Sequence, residues 1–238
     1  MNGIILFGKK YMDTIMFVNC IKQGETNQCK NVIQKVGGLN NFYEVDFESW
    51  NIQSIFSGQK EAYIVSDRSN SQRTSYVFGN SKSTFDLDKI LSLSTEHSWL
   101  HVCYIDDVEC HSEISRLDIP FSLDFCTDSP RHPYREVMSR ASIIFDSRER
   151  KKLYEDLDLD TPLILHDEYG IEIIQNKKII FEEKNTPIMN IDVNGAGDIF
   201  AAIFIKNYAT LSLFESAKLA MTKTTKLLLK RMKNEQEV

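Results

Sequence analysis

Nowhere among its 238 residues does the chain gather the roughly 20 consecutive apolar side chains that a membrane-spanning helix needs. No basic stretch precedes the six-residue apolar-rich run near the start, "MNGIILFGKKYMD", so that run reads as a strand and not as a signal peptide. Positive charge is short too. Against 34 Asp and Glu stand 28 Lys and Arg, and the net charge of −6 argues against a general nucleic-acid surface. The Lys/Arg-rich stretch "KLLLKRMK" at 226–233 reads as the solvated side of a terminal helix. Five cysteines (20, 29, 103, 110, 126) form no CxxC pair and are odd in number, which disfavours a zinc site and a disulfide framework. The five histidines (97, 101, 111, 132, 166) lack ligand spacing beyond His97 and His101. Those two fall in or before a strand, where that spacing would not bring both to one metal. Repeats and low-complexity tracts are missing as well. At 42 % hydrophobic and 26 % charged, the composition is that of a soluble cytoplasmic protein with room for one large domain.

Two textures are present. Residues 3–8 (GIILFG), 14–18 (TIMFV), 61–67 (EAYIVSD) and 74–79 (TSYVFG) read as strands, the last two joined through the polar "RSNSQR" as a hairpin. Residues 19–60, rich in Asn, Gln, Lys and Gly, show no sustained period. From residue 86 onward, strands and helices alternate. The strands are 98–107, 121–128, 141–147 and 162–168, with helical stretches through 117, around 133–140 and over 148–157. Such alternation predicts a parallel sheet covered on both faces. "GIEIIQNKKIIFEE" at 170–183 breaks the rhythm as a β-hairpin at the sheet edge. The last helix starts at Ser212, where "SLFE" sets Glu215 three residues on as a capping box.

Each of the four parallel strands ends in acid: Asp106 and Asp107, Asp124, Asp146, Asp167. Open α/β sheets bind ligands at the carboxyl ends of their strands, where a row of carboxylates suits Mg²⁺ or a polyhydroxy substrate. Equally, an Asp in that place caps the helix that follows. The sharper signal is "NIDVNGAGDIFAAIFI" (190–205), in which strand-like sequence meets Gly195-Ala196-Gly197 and then a helix apolar almost all round. Glycines let backbone N–H groups approach an anion, and the helix N-terminus adds partial positive charge. Asp198, just inside that helix, stands beside the anion site, where it can orient or deprotonate a nucleophile. Phosphoryl transfer needs these parts. A bare GxGD pattern also occurs as a purely structural turn.

The stretch "DVNGAGDIFAAIF" resembles the second signature, D-T-x-G-A-G-D-x-F, of the ribokinase-like (PfkB) carbohydrate kinases. Asp192, Gly195, Ala196, Gly197, Asp198 and Phe200 match, and Val193 replaces the usual Thr. Further segments follow in the family's order. "GKKYMDTIMFV" is similar to its opening strand pair, with Asp13 at the substrate acid. "GET" at 24–26 and "GG" at 37–38 followed by Asn40 and Asn41 are similar to G-E-T…G-G-x-x-x-N. "DRSNSQRT" resembles the lid hairpin, keeping Arg73 and Thr74. "FSLDFCTD" is similar to the strand whose Asp lies near the phosphates. "IIFDSRER" stands where N-x-x-E belongs, with Asp146 for Asn and Glu149 retained. "LILHDEYG" keeps Glu168 and Gly170 but has Asp167 for the first Gly. The resemblance covers nearly the whole chain and is to short members such as the fructoselysine-type sugar kinases. Residues 39–60 stand where the family places a helix and a further strand–helix unit, so part of one sheet edge is missing.

This resemblance implies a ribokinase-like α/β fold: a doubly wound, mostly parallel sheet with helices on both faces and a small β-strand lid. It implies a single domain over 1–238, shortened in its N-terminal part, with lid strands at about 10–20 and 61–80. The implied activity moves the γ-phosphoryl group of ATP to a hydroxyl of a small sugar or sugar derivative. Asp198 would be the base, and Gly195, Ala196 and Gly197 the anion hole. Asp13, Gly38, Asn41 and Arg73 would bind substrate. Asp124, Asp146, Glu168, Gly170 and Asn194 would line the nucleotide, and Glu149 and Asp192 would attend Mg²⁺. Plainer readings stand beside these. Asp13 suits a turn between two strands, Arg73 an exposed hairpin, Glu149 the first turn of a helix, and the aromatics of 41–50 a core or a covered edge. ATP, Mg²⁺ and a small sugar are the implied ligands, with neither nucleic acid nor membrane as partner, and lids in the family often pair two subunits. A non-catalytic, ligand-binding member and a nucleoside kinase are the alternatives.

Overall fold

One strand, β1 (Gly3–Val18), carries two burial patterns along its length. Its first seven residues are all buried, as in a strand covered on both faces; from Lys10 onward buried and more open positions alternate. The change coincides with a division of the chain into two compact units. The first is Met1–Lys9, Asp46–Gly58 and Ser81–Asn185; the second is Lys10–Val45, Gln59–Asn80 and Thr186–Val238. The computed structural model describes residues 3–19, 22, 25–47, 50–67, 69, 72–79, 82–188 and 191–236. Cys20, Gly24 of "GET" and residues 68, 70 and 71 of the lid turn lie outside them. The expected pair of strands at 3–8 and 14–18 is therefore one strand. The intervening charges are no barrier, because each has a partner: Lys9 pairs with Asp107 at 2.9 Å and Asp13 accepts a hydrogen bond at 2.8 Å.

Besides residues 3–9 of β1, the first unit holds residues 51–58 of β3 (Asn51–Asp67), β5 (Ser83–Thr84), α1 (Leu87–Ser94), β6 (Trp99–Val102) and β7 (Val108–Glu109). After these come β8 (Phe121–Asp124), α2 (Arg135–Arg140), β9 (Ile143–Ser147), β10 (Leu163–Asp167), β11 (Gly170–Gln175) and β12 (Lys178–Lys184). Its main sheet runs β12-β11-β10-β9-β8-β6-β1. The pairs β1–β6, β6–β8, β8–β9 and β9–β10 are parallel. Ile5, Leu100, Leu123, Ile144 and Leu163 are fully or almost fully buried in one apolar cluster. The expected 170–183 hairpin is present as β11–β12 at the sheet edge. Asn176 and Lys177 both have positive φ there (50° and 61°), as a two-residue type I′ turn requires. Two expected helices are tighter and shorter: His111–Arg116 and Arg148–Tyr154 wind as 3₁₀ turns. In the second, Arg150 folds back onto Asp146 Oδ1 (2.6 Å) and Phe125 O (3.1 Å).

The second unit contains the rest of β1 paired antiparallel with β2 (Cys29–Gly38), and residues 59–67 of β3 paired antiparallel with β4 (Gln72–Phe78). The 61–79 hairpin is thus as expected, whereas β2 and the start of β3 at Asn51 fall in the segment that showed no period. Six of the first eight β2 positions are exposed, and no buried stripe marks it. A 3₁₀ turn, Leu39–Glu44, follows. α3 (Ala196–Tyr208) and α4 (Leu213–Gln236) complete the unit; α3 packs on both α4 and the 3₁₀ turn. α3 is buried almost all round from Asp198 to Ile205. The Ser212–Glu215 capping box forms as expected, Glu215 N–H donating to Ser212 Oγ and Ser212 N–H to Glu215 Oε2 (3.3 and 3.1 Å). Among the described residues no helix is long and apolar enough to cross a membrane.

Arg131, 1 % exposed, is the largest fully buried side chain of the first unit. It donates to Asp146 Oδ2 at 2.8 Å, Tyr154 Oη at 3.1 Å and the carbonyls of Thr127 and Ser129, with its guanidinium 4.1 Å from the Phe125 ring centre. Asp146 also accepts from Tyr154 Oη and Ser147 N–H. Removing one member of such a pair strands a buried charge. Asp146→Ala is therefore expected to lower stability by about 3–5 kcal/mol in urea denaturation. An unchanged midpoint would show that Asp146 is no structural partner of Arg131.

Candidate active site

The candidate residues of the second unit converge because three short segments meet. Alternation along β1 puts Asp13 on the same buried face as Tyr11, Ile15 and Phe17. Opposite it in register is Lys35, and Gly37 faces Tyr11. A Cβ on Gly37 would overlap Asp13 Oδ2, so the glycine makes room for the carboxylate. Gly38, at φ 63°, then turns the chain into the 3₁₀ segment that carries Asn41.

Asn41 donates its amide to Asp198 Oδ2 at 2.7 Å. Gly195 permits this twice over: its φ is +76°, and an added Cβ would lie 2.5 Å from Asn41 Cγ. Ala196 N–H bonds to Val193 O and Ile199 N–H to Gly195 O (both 3.0 Å), which closes the turn into α3. No side chain caps this helix start, and Ala196 and Gly197 stay half-buried. The turn thus offers an anion the N-terminal dipole and backbone N–H groups of a 13-residue helix, beside a carboxylate held by an amide.

Asn194 and Asp192 complete the cluster. Asn194, expected at the nucleotide, is committed to protein partners. It donates Nδ2 to Asp13 Oδ2 (2.8 Å) and N–H to Asp192 Oδ1 (2.9 Å), while accepting from Arg73 at Oδ1 and from Arg231 at its carbonyl (2.8 Å). Asp192, expected near Mg²⁺, pairs its other oxygen with Lys35 Nζ at 3.1 Å. An ammonium stands where a cation was expected. Arg73 does reach the cluster, through Asn194. Lys35, Glu44 and Arg231 were not anticipated. Arg231 lies in the stretch read as a solvated helix side, yet it pairs with Glu44 at 2.5 Å and bonds the carbonyl just before Gly195. Only the run of basic residues in "KLLLKRMK" marked it.

In the first unit the strand-end acids Asp106, Asp146 and Asp167 bond to groups of the protein itself. No Asp side chain caps the 3₁₀ turns after these strands. Asp106 gathers the loop after β8, accepting from Thr127 N–H (2.7 Å), Cys126 N–H (3.3 Å) and Thr127 Oγ1. Asp146, 1 % exposed, is consumed by Arg131, Arg150, Tyr154 and Ser147 and is not presented to a ligand. Asp167 closes a turn by accepting from the N–H groups of Tyr169 (2.8 Å) and Gly170 (2.9 Å). Gly170 is needed for the strand pair itself: a Cβ there would overlap Glu183 O, and φ is +146°. Asp124 is buried at the end of β8, and Glu149 and Glu168 are exposed. A Mg²⁺ held by the protein alone does not fit. Asp192 and Asp146 are neutralised by cationic side chains, and no three acids, histidines or cysteines cluster among the described residues. A cleft of ≈ 180 Å³ in this unit, lined by Tyr154, Leu157, Leu159, Leu163 and Ile174, carries none of the candidate residues.

No protein-family model and no curated protein matches the sequence. Solved structures do. A nucleoside kinase of Methanocaldococcus jannaschii, described as an archaeal member of the ribokinase family, is 14 % identical, with a TM-score of 0.63 over 96 % of this chain and 92 % of that one. This chain has the ribokinase-like fold. An Arabidopsis thaliana ribokinase complexed with ribose and ATP is 13 % identical, with a TM-score of 0.61 over 92 % and 90 % of the two chains. A Burkholderia thailandensis nucleoside kinase in complex with inosine is 14 % identical, with a TM-score of 0.65 over 93 % and 89 %.

Burial pushes the Asp13 carboxyl above its ordinary value of 3.8, against the Asn194 hydrogen bond and the charges of Lys35 and Arg73; Asp192 adds to the rise. The folded state therefore keeps a proton that the unfolded chain releases, and stability falls as pH rises from 3.8 through the elevated value. Asp13→Asn is expected to remove that slope. Its stability gain over the natural chain should be least below pH 3.8 and grow with pH in urea titrations. A gain independent of pH would show that the carboxylate is not strained by burial.

Proposed function

We propose that the protein is a phosphotransferase that moves the γ-phosphoryl group of ATP to a hydroxyl of a small sugar or sugar derivative. The observation that carries this reading is the Gly195–Asp198 turn: an uncapped, half-open helix start whose acid is held by Asn41 at 2.7 Å. Gly197 and the dipole at the start of α3 would hold the phosphoryl oxygens, with Ala196, its N–H bonded to Val193 O, lining them. Asp198 would accept the proton of the substrate hydroxyl as its oxygen bonds to phosphorus and ADP departs. Asp13, on the same unit, would hold another hydroxyl. The ribose and ATP bound to the Arabidopsis ribokinase are consistent with such a pair of substrates.

A nucleoside acceptor is the second reading, favoured by the nucleoside kinases among the similar structures. The acids spent on Lys35 and Arg131 favour the third, a non-catalytic ligand-binding member. The exposed Tyr63, Tyr76, Val77 and Phe78 on β3 and β4 support pairing of two subunits through the lid, and a cytoplasmic setting completes the proposal.

A panel of sugars, sugar amines and nucleosides with Mg·ATP should yield one class of phosphorylated product by mass spectrometry. Asp198→Asn is expected to lower kcat by about 10²- to 10⁴-fold with little change in the KM of ATP. Ligand-induced melting shifts without any product would select the binding-module reading instead.

A further inference from the structure

Every polar group of Asn194 is in use. Its N–H, carbonyl, Oδ1 and Nδ2 bond to Asp192, Arg231, Arg73 and Asp13, which come from its own loop, α4, β4 and β1. The residue is 5 % exposed and immediately precedes Gly195. We propose that Asn194 is a positioning residue that ties the sugar-side acid Asp13 to the anion turn, so that one amide holds the acceptor hydroxyl and the phosphoryl group in register. The inference rests on the kinase reading above.

The chemistry of the partners selects an amide. Asp13 Oδ2 requires a donor and Arg73 an acceptor, and a carboxamide supplies one of each from a single short side chain. An aspartate at 194 would satisfy Arg73 and oppose Asp13. Asp13 in turn has little freedom, because its Oδ2 lies over Gly37, where even a Cβ would collide. With Oδ2 held by Asn194, Oδ1 is the oxygen turned to substrate. Asn194 N–H to Asp192 fixes the backbone that runs directly into Gly195, so displacing the amide moves both ends of the site. A misplacement of about 1 Å costs about 100-fold in rate.

The test is an exchange of donor and acceptor. Asp13→Asn alone must spend its oxygen on Asn194 and turn an NH₂ to the substrate; Asn194→Asp alone sets two carboxylates together. Each single variant is expected to raise the sugar KM or lower kcat/KM by about 100-fold. The double variant Asp13→Asn/Asn194→Asp restores the bond with its direction reversed and returns an oxygen to the substrate. It should recover kcat/KM by about tenfold or more over the worse single variant. Asn194→Gln, which keeps both ends of the amide but lengthens it, should still unfold in one cooperative urea transition and should raise the KM of the sugar. A double variant no better than the worse single one, or a Gln variant with the natural sugar KM, overturns the proposal while leaving the kinase reading intact. A natural chain that phosphorylates nothing in the panel overturns both.

Discussion

Everything at the candidate site depends on a missing atom, the Cβ of residue 195. Without it the Asn41 amide lies against the turn and reaches Asp198 at 2.7 Å; with it, Asn41 and the turn could not share that space. The same position needs a positive φ to start α3 where it does. One glycine therefore fixes the helix start, opens its N–H groups and orients the carboxylate beside them. The apolar run that follows serves this geometry, since a helix buried from Asp198 to Ile205 cannot drift.

Around that turn the charges are arranged in neutral sets. Lys35 answers Asp192, Arg231 answers Glu44, and Arg73 reaches Asn194, which also holds Asp13. Each cation comes from a different element, β2, α4 or β4, so the loop from 192 to 195 is fastened from three sides. A loop held in this way presents its backbone to a ligand with little ordering left to do. The first unit uses the same logic for a different purpose. Arg131 and Arg150 absorb Asp146, and Asp106 and Asp167 organise loops, which spends the strand-end carboxylates on the scaffold.

How far this was legible in the sequence follows from what local pattern encodes. The GAGD turn, the 170–183 hairpin, the Ser212 cap and the parallel strands announce themselves through residues that act on their own backbone or neighbours. The proximity of Asp13, Asn41, Arg73 and Asp198 was implied by resemblance alone, because contacts between positions 157 or 181 residues apart leave no local trace. β2 was missed because an exposed strand has no buried stripe to show. The partner of Asp146 was hidden for a related reason: next to "SRER" that acid looks the same whether it meets a cation from a ligand or from Arg131. What decides is the burial of Arg131, a property of the packed core and not of the segment.

Asp13 gives the clearest separation of scaffold from function. It shares a buried strand face with Tyr11, Ile15 and Phe17, where an apolar residue would continue the pattern of burial. Instead the chain keeps a carboxyl whose ionisation burial opposes, removes the side chain from Gly37 to seat it, and supplies Asn194, Lys35 and Arg73 to ease the charge. A group that only supported the fold would be better replaced by packing, since buried ionic sets are often no more stable than apolar ones. On the kinase reading proposed above, polar chemistry held in place by several independent partners would be the sugar end of the site before its ligand arrives. The acid's second oxygen, with the turn at Gly195 fastened to the same amide, is where that ligand would complete the set.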